Sequence, residues 1–329
     1  MSTPGPDRST SARLAKASER LTILAHELHI AVVDAADSGP DLALLAGVSS
    51  RLSSHTLDLA EINFAVAEDV VSSSGDARAD RSAAALGRVS RVVDPVFEVA
   101  SEVAAHLVIC AERAARTGGA LTASHLSALN PALTRLLEEN QHLVTGAGVA
   151  MAPHTLADEE LWMQWFVQGP AGPVQLRPRL DPRSEAFYDY PSAVWFSESA
   201  HELAPRLAPP HFDGGGTDTW MVTAAVPVVV QGRFLGLGCA ELTLDRIGSL
   251  VAPALLAMPA PAALVSPQGV VVASTHPDMH PGTTPPQLAL HLASGNGATS
   301  FAHISTDLTV ARSPALAWQV VADWSASPS

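Results

Sequence analysis

The chain has 329 residues, enough for two domains or for one domain with a large helical extension. Its formal net charge of -14 argues against a surface built to neutralise phosphates, so direct nucleic-acid binding is not its expected role. Lys16 is the only lysine and lies in a polar N-terminal stretch, which leaves no lysine for Schiff-base chemistry in a desolvated pocket.

The two cysteines, Cys110 and Cys239, are far apart and form no CxxC or metal spacing, and so read as small buried hydrophobes in a reducing compartment. No apolar signal-like run opens the chain. The uncharged segment 247–275 is interrupted by Pro253, Pro259, Pro261, Pro267 and the turn "SPQG", well short of a membrane-spanning helix. The expectation is a soluble, cytoplasmic protein.

In chain order, Leu14, Leu21 and Leu28 recur every seven residues with Ala17, Leu24 and Ala31 between them, an a/d seam that calls for a helix and a partner. "DSGPD" (37–41) ends it, a second apolar-periodic run covers about 42–71, and "SSSGDARAD" (72–80) reads as a linker. A third helix is expected over about 81–116, bent near Pro95 and stopped at Gly118 and Gly119. Asn130 and Pro131 read as N-cap and first turn of a fourth, ending near Gly146.

From Gly146 the pattern changes to strands and turns. "GVAMAP", "LWMQWFVQG" and "VQLRPRL" are expected strands, the last two flanking the turn "GPAGP". The aromatic stretch "AFYDYPSAVWF" (186–196) follows as a connection with a short helix. "WMVTAAVPVVV" and "FLGLGCAELTL" form a hairpin across "QGR", "AALVSPQGVVVAST" forms a second, and "FAHISTDLTVA" and "AWQVVADW" add two strands. Helices followed by two small antiparallel sheets make an α+β fold. The expected division is an N-terminal helical segment 1–78, long helices 79–146, a ligand-binding domain 147–250 and a smaller lobe 251–329.

A long helix leading into a five-stranded antiparallel sheet, an aromatic connection and the hairpin "VTAAVPVVVQGRFLGLGCAELTL" together resemble the Cache sensor domains, relatives of PAS domains. "ALVSPQGVVVAST" is similar to the opening hairpin of the second lobe of a double-Cache domain. The resemblance covers roughly residues 80–325 and implies a PAS-like ligand-binding domain with a second, smaller PAS-like lobe. Members that bind amino acids and amines use a Tyr, an Arg five residues on, a Trp with an aromatic after it, a Tyr-x-Asp and an acid ending the hairpin. The resemblance therefore implies Tyr188, Trp195 and Phe196, then His211 and Asp213, then Glu241 as ligand-binding residues, with Ala193 standing where the Arg would be.

Taken by their chemistry, the same residues fit a cation. Asp213 and Glu241 supply charged acceptors for an ammonium, and Tyr188 and Trp195 supply aromatic faces. A free amino acid also carries a carboxylate, for which an Arg fork is the usual partner. Ala193 therefore favours an amine or amino alcohol over an amino acid, unless Arg183 or Arg206 reaches the pocket from elsewhere. Asp189 lies inside the aromatic cluster and joins the candidates, as do Trp162 and Trp165 on a neighbouring strand, while the cluster itself serves equally as a cage or as a core.

"HELH" (26–29) lacks the spacing of a zinc helix, and His276, Asp278 and His280 read as polar loop residues rather than a metal site. Neither a cofactor motif nor a catalytic constellation stands out. The expected function is ligand sensing without catalysis, with N-terminal helices that dimerise or pass the bound state to a soluble partner. Transcriptional control is one such output. The rivals are a DNA-binding regulator, faintly suggested by residues 42–62 despite their lack of positive charge, an enzyme acting on a small amine, and a scaffold with a vestigial pocket.

Overall fold

The computed structural model describes residues 77–285, 308–312 and 318–324. The first two expected helices, most of the linker, "HELH" and much of "FAHISTDLTVA" lie outside the described residues. The chain divides into two units, residues 1–87 and 88–329, and both β-sheets belong to the second.

Helix α1 (Ala77–Arg116) runs on through Pro95 and turns out at Gly118, whose φ is +70°. Within the second unit its buried positions run Val89, Val93, Val96, Ala100, Val103, Leu107, Cys110 and Ala114, with Val99 and Ala104 buried beside that line. Steps of four and three residues put all of them on one stripe, which is what holds so long a helix against a sheet. A short helix α2 (Ala123–Leu126) and a 3-10 turn (Ser127–Leu129) lead into α3 (Asn130–Glu139), which buries Leu133, Leu136 and Leu137.

Helix α3 departs from expectation at both ends. Leu129, not Asn130, is the N-cap residue, because the Asn130 side chain is taken up by Gln164. The helix stops at Glu139, where the Asn140 side-chain amide donates to the Leu136 carbonyl at 2.9 Å, and Gly146 opens a strand instead.

Seven antiparallel strands make the first sheet: β1 (Gly146–Met151), β2 (Met163–Gly169), β3 (Gly172–Leu176), β4 (Arg206–Leu207), β5 (His211–Phe212), β6 (Trp220–Val230) and β7 (Arg233–Thr243). Their order is β3-β2-β1-β7-β6-β4, with β5 also on β6. The β6–β7 hairpin turns on Gln231 and Gly232, both at positive φ, which matches the twist of a two-residue loop. Helix α4 (Val194–Glu202) follows a 3-10 turn at Tyr190–Ser192 and packs on β6 and β7.

The sheet has two distinct faces. One carries Gln164 and Gln168, bonded to Asn130 and to the Leu137 carbonyl of α3, together with Gly238, which meets Ala104 of α1. The helices therefore cover that face. Register places Leu176 opposite Trp165, Trp165 opposite Gly148, Gly148 opposite Cys239, and Glu241 between Gly146 and Thr223. Directly opposed residues share a face, so these make up the other side, which the aromatic stretch covers.

Helix α5 (Leu244–Leu256), capped by the Thr243 hydroxyl accepting from the Arg246 N–H, leads to the second sheet. That sheet comprises β8 (Ala262–Val265), β9 (Val271–Ser274), β10 (Leu308–Arg312) and β11 (Gln319–Asp323), in the order β10-β11-β8-β9. The layout is α+β, a long helix leading into a PAS-like antiparallel sheet with a smaller sheeted lobe after it. Among the described residues no helix is long and apolar enough to cross a membrane.

A Cβ at Gly238 would overlap the Ala104 backbone. Gly238→Val is expected to destabilise the protein by about 1–3 kcal/mol, the usual cost of overpacking, as a lower midpoint in urea unfolding.

Candidate functional site

A cleft lies between the exposed edge of the aromatic stretch and the first sheet, with about 270 Å³ of empty space including its opening to solvent. Most of that space is open to solvent, and the enclosed part has room for about one water molecule, so a ligand enters by displacing part of the cover. Its sheet side is Met163, Trp165, Leu176, Thr223 and Glu241, all on the face away from the helices. Its other side is Tyr188, Trp195, His211 and Asp213.

Two glycines of β1 make the floor possible. A Cβ at Gly146 would overlap the Glu241 carboxyl, and one at Gly148 would overlap the Trp165 ring and backbone. With both cleared, Trp165 Nε1 donates to Glu241 Oε1 at 3.1 Å in the interior. Trp195 lies across the cleft, its ring 6.0 Å from that of Trp165.

Asp213 is held by the turn it begins. Its Oδ2 accepts from the Thr217 N–H at 2.7 Å and the Thr217 hydroxyl at 2.8 Å, and its Oδ1 accepts from the Tyr188 hydroxyl. That last bond latches the aromatic stretch to the β5–β6 turn. The Asp213 and Glu241 residues are only 7% and 4% exposed, and no cationic side chain lines the cleft.

The electrostatics follow from that composition. Burial, then the nearby Asp213 charge, pushes the Glu241 carboxyl up to about 8. Burial and Asp213 also drive the Tyr188 phenol far above its ordinary range. Burial lowers the His211 imidazole, so its ring is neutral near pH 7, with Nδ1 lying 3.1 Å from the Pro209 carbonyl.

Of the residues singled out in the sequence, Tyr188, Trp195, His211, Asp213, Glu241 and Trp165 come together around the cleft. Phe196 does not. It lies in the core beneath, with ring centroids 5.3 Å from Tyr190 and 6.2 Å from Phe234. Asp189 is exposed, because the chain there turns Tyr190 inward to donate to the Met151 carbonyl at 2.6 Å. Trp162 precedes β2 and lies outside the cleft lining, its N–H donating to the Tyr190 hydroxyl oxygen at 3.3 Å.

The aromatic stretch is thus divided residue by residue between cleft lining and core. Met163, Leu176 and Thr223 were not singled out beforehand. Alternation from Trp165 points to Met163, but Leu176 and Thr223 depend on cross-strand register.

Neither arginine that could replace the missing fork reaches the site. Arg183 is exposed on Asp181 at 3.1 Å, and Arg206 donates to Glu198 at 2.9 Å and also to Glu202. In the second lobe His276 Nε2 lies 3.3 Å from Asp323 Oδ2, and among the described residues no cluster fit for a metal is present. Cys110 and Cys239 are free and buried.

A small cleft lined by acids and aromatics, roofed by a loop on a PAS-like sheet, defines a ligand-sensing domain. Residues 129–249 match the family model of the methyl-accepting chemotaxis protein-like, first PDC sensor domain. The match spans 121 of the 329 residues, and that stretch is similar to the Cache sensor domains of the PDC type.

Among solved structures, the extracellular domain of the histidine kinase soHK1S-Z6 is similar with a TM-score of 0.51 and 19% identity, covering 74% of this chain and 91% of that one. Methyl-accepting chemotaxis protein X gives 0.49 and 14%, covering 73% and 95%. The ligand-binding domain of the Pseudomonas aeruginosa PAO1 amino acid chemoreceptor PctC, in complex with GABA, gives 0.41 and 18%, covering 71% and 92%. At such identities the likeness is one of fold. No curated protein matches the chain by sequence.

The raised Glu241 carboxyl has a measurable consequence for the empty protein. Between its ordinary 4.5 and about 8 the folded state keeps a proton that the unfolded chain has lost. The Glu241 contribution to stability therefore falls as pH rises through that window, by at most about 1.4 kcal/mol per pH unit. Glu241→Gln is expected to flatten this part of the stability profile in chemical denaturation.

Proposed function

We propose that the cleft binds a small cationic amine or amino alcohol, and that binding is read out as a signal without turnover of the ligand. The observation that carries this is two buried carboxyl groups facing one cleft whose lining holds no cation. A buried charge is costly unless paired, and an ammonium between Asp213 and Glu241 would pair both. Trp165, Trp195 and Tyr188 offer ring faces around it.

The lack of a guanidinium speaks against an amino acid. Ala193 occupies the expected Arg position, and Arg183 and Arg206 are committed to surface acids. A ligand carboxylate would face Asp213 and Glu241 with nothing to offset it.

The signalling step in this proposal is a population shift. The Tyr188–Asp213 bond ties the aromatic stretch to the β5–β6 turn within one wall of the cleft. A cation bonded to Asp213 alters that latch and with it the set of the aromatic stretch over the sheet. The heptad spacing of Leu14, Leu21 and Leu28 supports a further part of the proposal, that the N-terminal helices pair two copies and pass the change to a soluble partner.

Thermal unfolding against propylamine, ethanolamine, alanine and propionate tests this. A ligand at about 100 times its Kd adds about 2.7 kcal/mol, a rise of roughly 5–10 °C for a domain of this size. The rise is expected with propylamine or ethanolamine, not with propionate, and is lost in Asp213→Ala. A rise confined to propionate or alanine would overturn the amine assignment.

A further inference from the structure

The two acids of the cleft are not equivalent. Asp213 accepts from the Tyr188 hydroxyl and from two Thr217 donors, whereas the Glu241 carboxyl accepts only from Trp165 among the described residues. The titratable neighbours of Glu241 are Asp213 from the β5–β6 turn, Tyr188 from the aromatic stretch, His211 from β5 and Cys239 on its own strand. Burial keeps the phenol, the thiol and the imidazole uncharged near pH 7, which leaves Asp213 as the one charged neighbour. Two carboxyl groups that share a closed site without a cation do not both ionise. Of the two, Asp213 has three hydrogen-bond donors and Glu241 has one.

The donors of the cleft are also spent within it. The Tyr188 hydroxyl is used on Asp213 and the Trp165 N–H on Glu241, while His211 Nδ1 faces the Pro209 carbonyl. What remains for a ligand is a set of acceptors and the Thr223 hydroxyl, for which no partner is found among the described residues.

We propose that Glu241 sets the specificity of the cleft: it holds a proton while the cleft is empty and releases it to solvent when an ammonium bearing N–H donors enters. This rests on the amine reading above. One proton leaves the carboxyl for bulk water, one cation arrives, and the net charge of the cleft is unchanged. An N–H of the ammonium replaces the acid O–H as the hydrogen atom held there, and further N–H groups meet Asp213 or His211. A quaternary ammonium offers charge but no such hydrogen, so it leaves the ionised carboxyl with Trp165 as its sole donor.

The test is isothermal calorimetry of the full chain with propylamine hydrochloride in phosphate and in HEPES, from about pH 6 to about pH 9, with tetramethylammonium as comparator. With the Glu241 carboxyl near 8 in the empty protein, close to one proton is released per propylamine at the acid end and almost none at the alkaline end. Affinity rises about tenfold per pH unit below that value and then levels. Tetramethylammonium binds at least about tenfold more weakly, the loss of one charge-assisted hydrogen bond.

Glu241→Gln, if folded, binds propylamine without proton release. The buffer comparison on the unaltered chain stands without that variant. Propylamine binding with equal heats in both buffers, or tetramethylammonium binding as tightly, would overturn the exchange while leaving the amine reading intact. No binding of propylamine or ethanolamine at any pH would remove the amine reading itself.

Discussion

Burying the Glu241 carboxyl without a counter-ion is a costly arrangement, and much of the local architecture serves it. A charged group taken out of water loses far more than one hydrogen bond returns. Here the compensation is a single donor, the Trp165 indole N–H, and a shift toward the neutral acid. Bringing those two side chains together on a flat sheet requires the strand between them to give up its own. Gly146 and Gly148 do this, so the Gly-Ala-Gly opening of β1 is a clearance for the site as well as a weak point in a strand.

The division of the sheet into two faces then fixes what can move. On one side the interior is close-packed: α1 approaches Gly238 to van der Waals contact and α3 is tied to β2 through Gln164 and Gln168. On the other the cover is a long connection anchored by Tyr190, Trp195 and Phe196 but held over the cleft by the Tyr188–Asp213 bond. Packed cores shift between discrete arrangements rather than deforming continuously. A ligand that competes for Asp213 thus acts on the one wall of the cleft that polar bonding, rather than packing, keeps in place.

Legibility in the sequence followed how local each determinant was. The β6–β7 hairpin, with Gln231–Gly232 between two long apolar runs, depends on neighbouring residues and was expected in place. Helix α5 was not expected, because most of it falls in the uncharged segment 247–275, which prolines interrupt. Its cap, Thr243 on the Arg246 N–H, and its buried Ile247 and Val251 become a pattern only beside the second sheet. The two-residue strands β4 and β5 carry too few residues for any periodicity to mark them. In the site, Glu241 stood out as an acid ending an apolar strand, whereas Asp213 in its glycine-rich loop was reached only through the resemblance. Phe196 and Asp189 did not reach the cleft because a helical turn and the inward Tyr190 rotate them away from it.

The same geometry explains why a single missing side chain carries so much weight. Ala193 ends the 3-10 turn and is the N-cap residue of α4, packed against the aromatic cluster, so nothing at that position reaches the cleft as a cation. Among the described residues no guanidinium lines the cleft from any other position either. Without one, the proton on Glu241 is the only neutralising charge available to the empty cleft. The loss of a carboxylate partner and the gain of a titrating group are therefore one substitution seen from two sides. Under the proposed reading a cation and a proton compete for the same oxygen atoms.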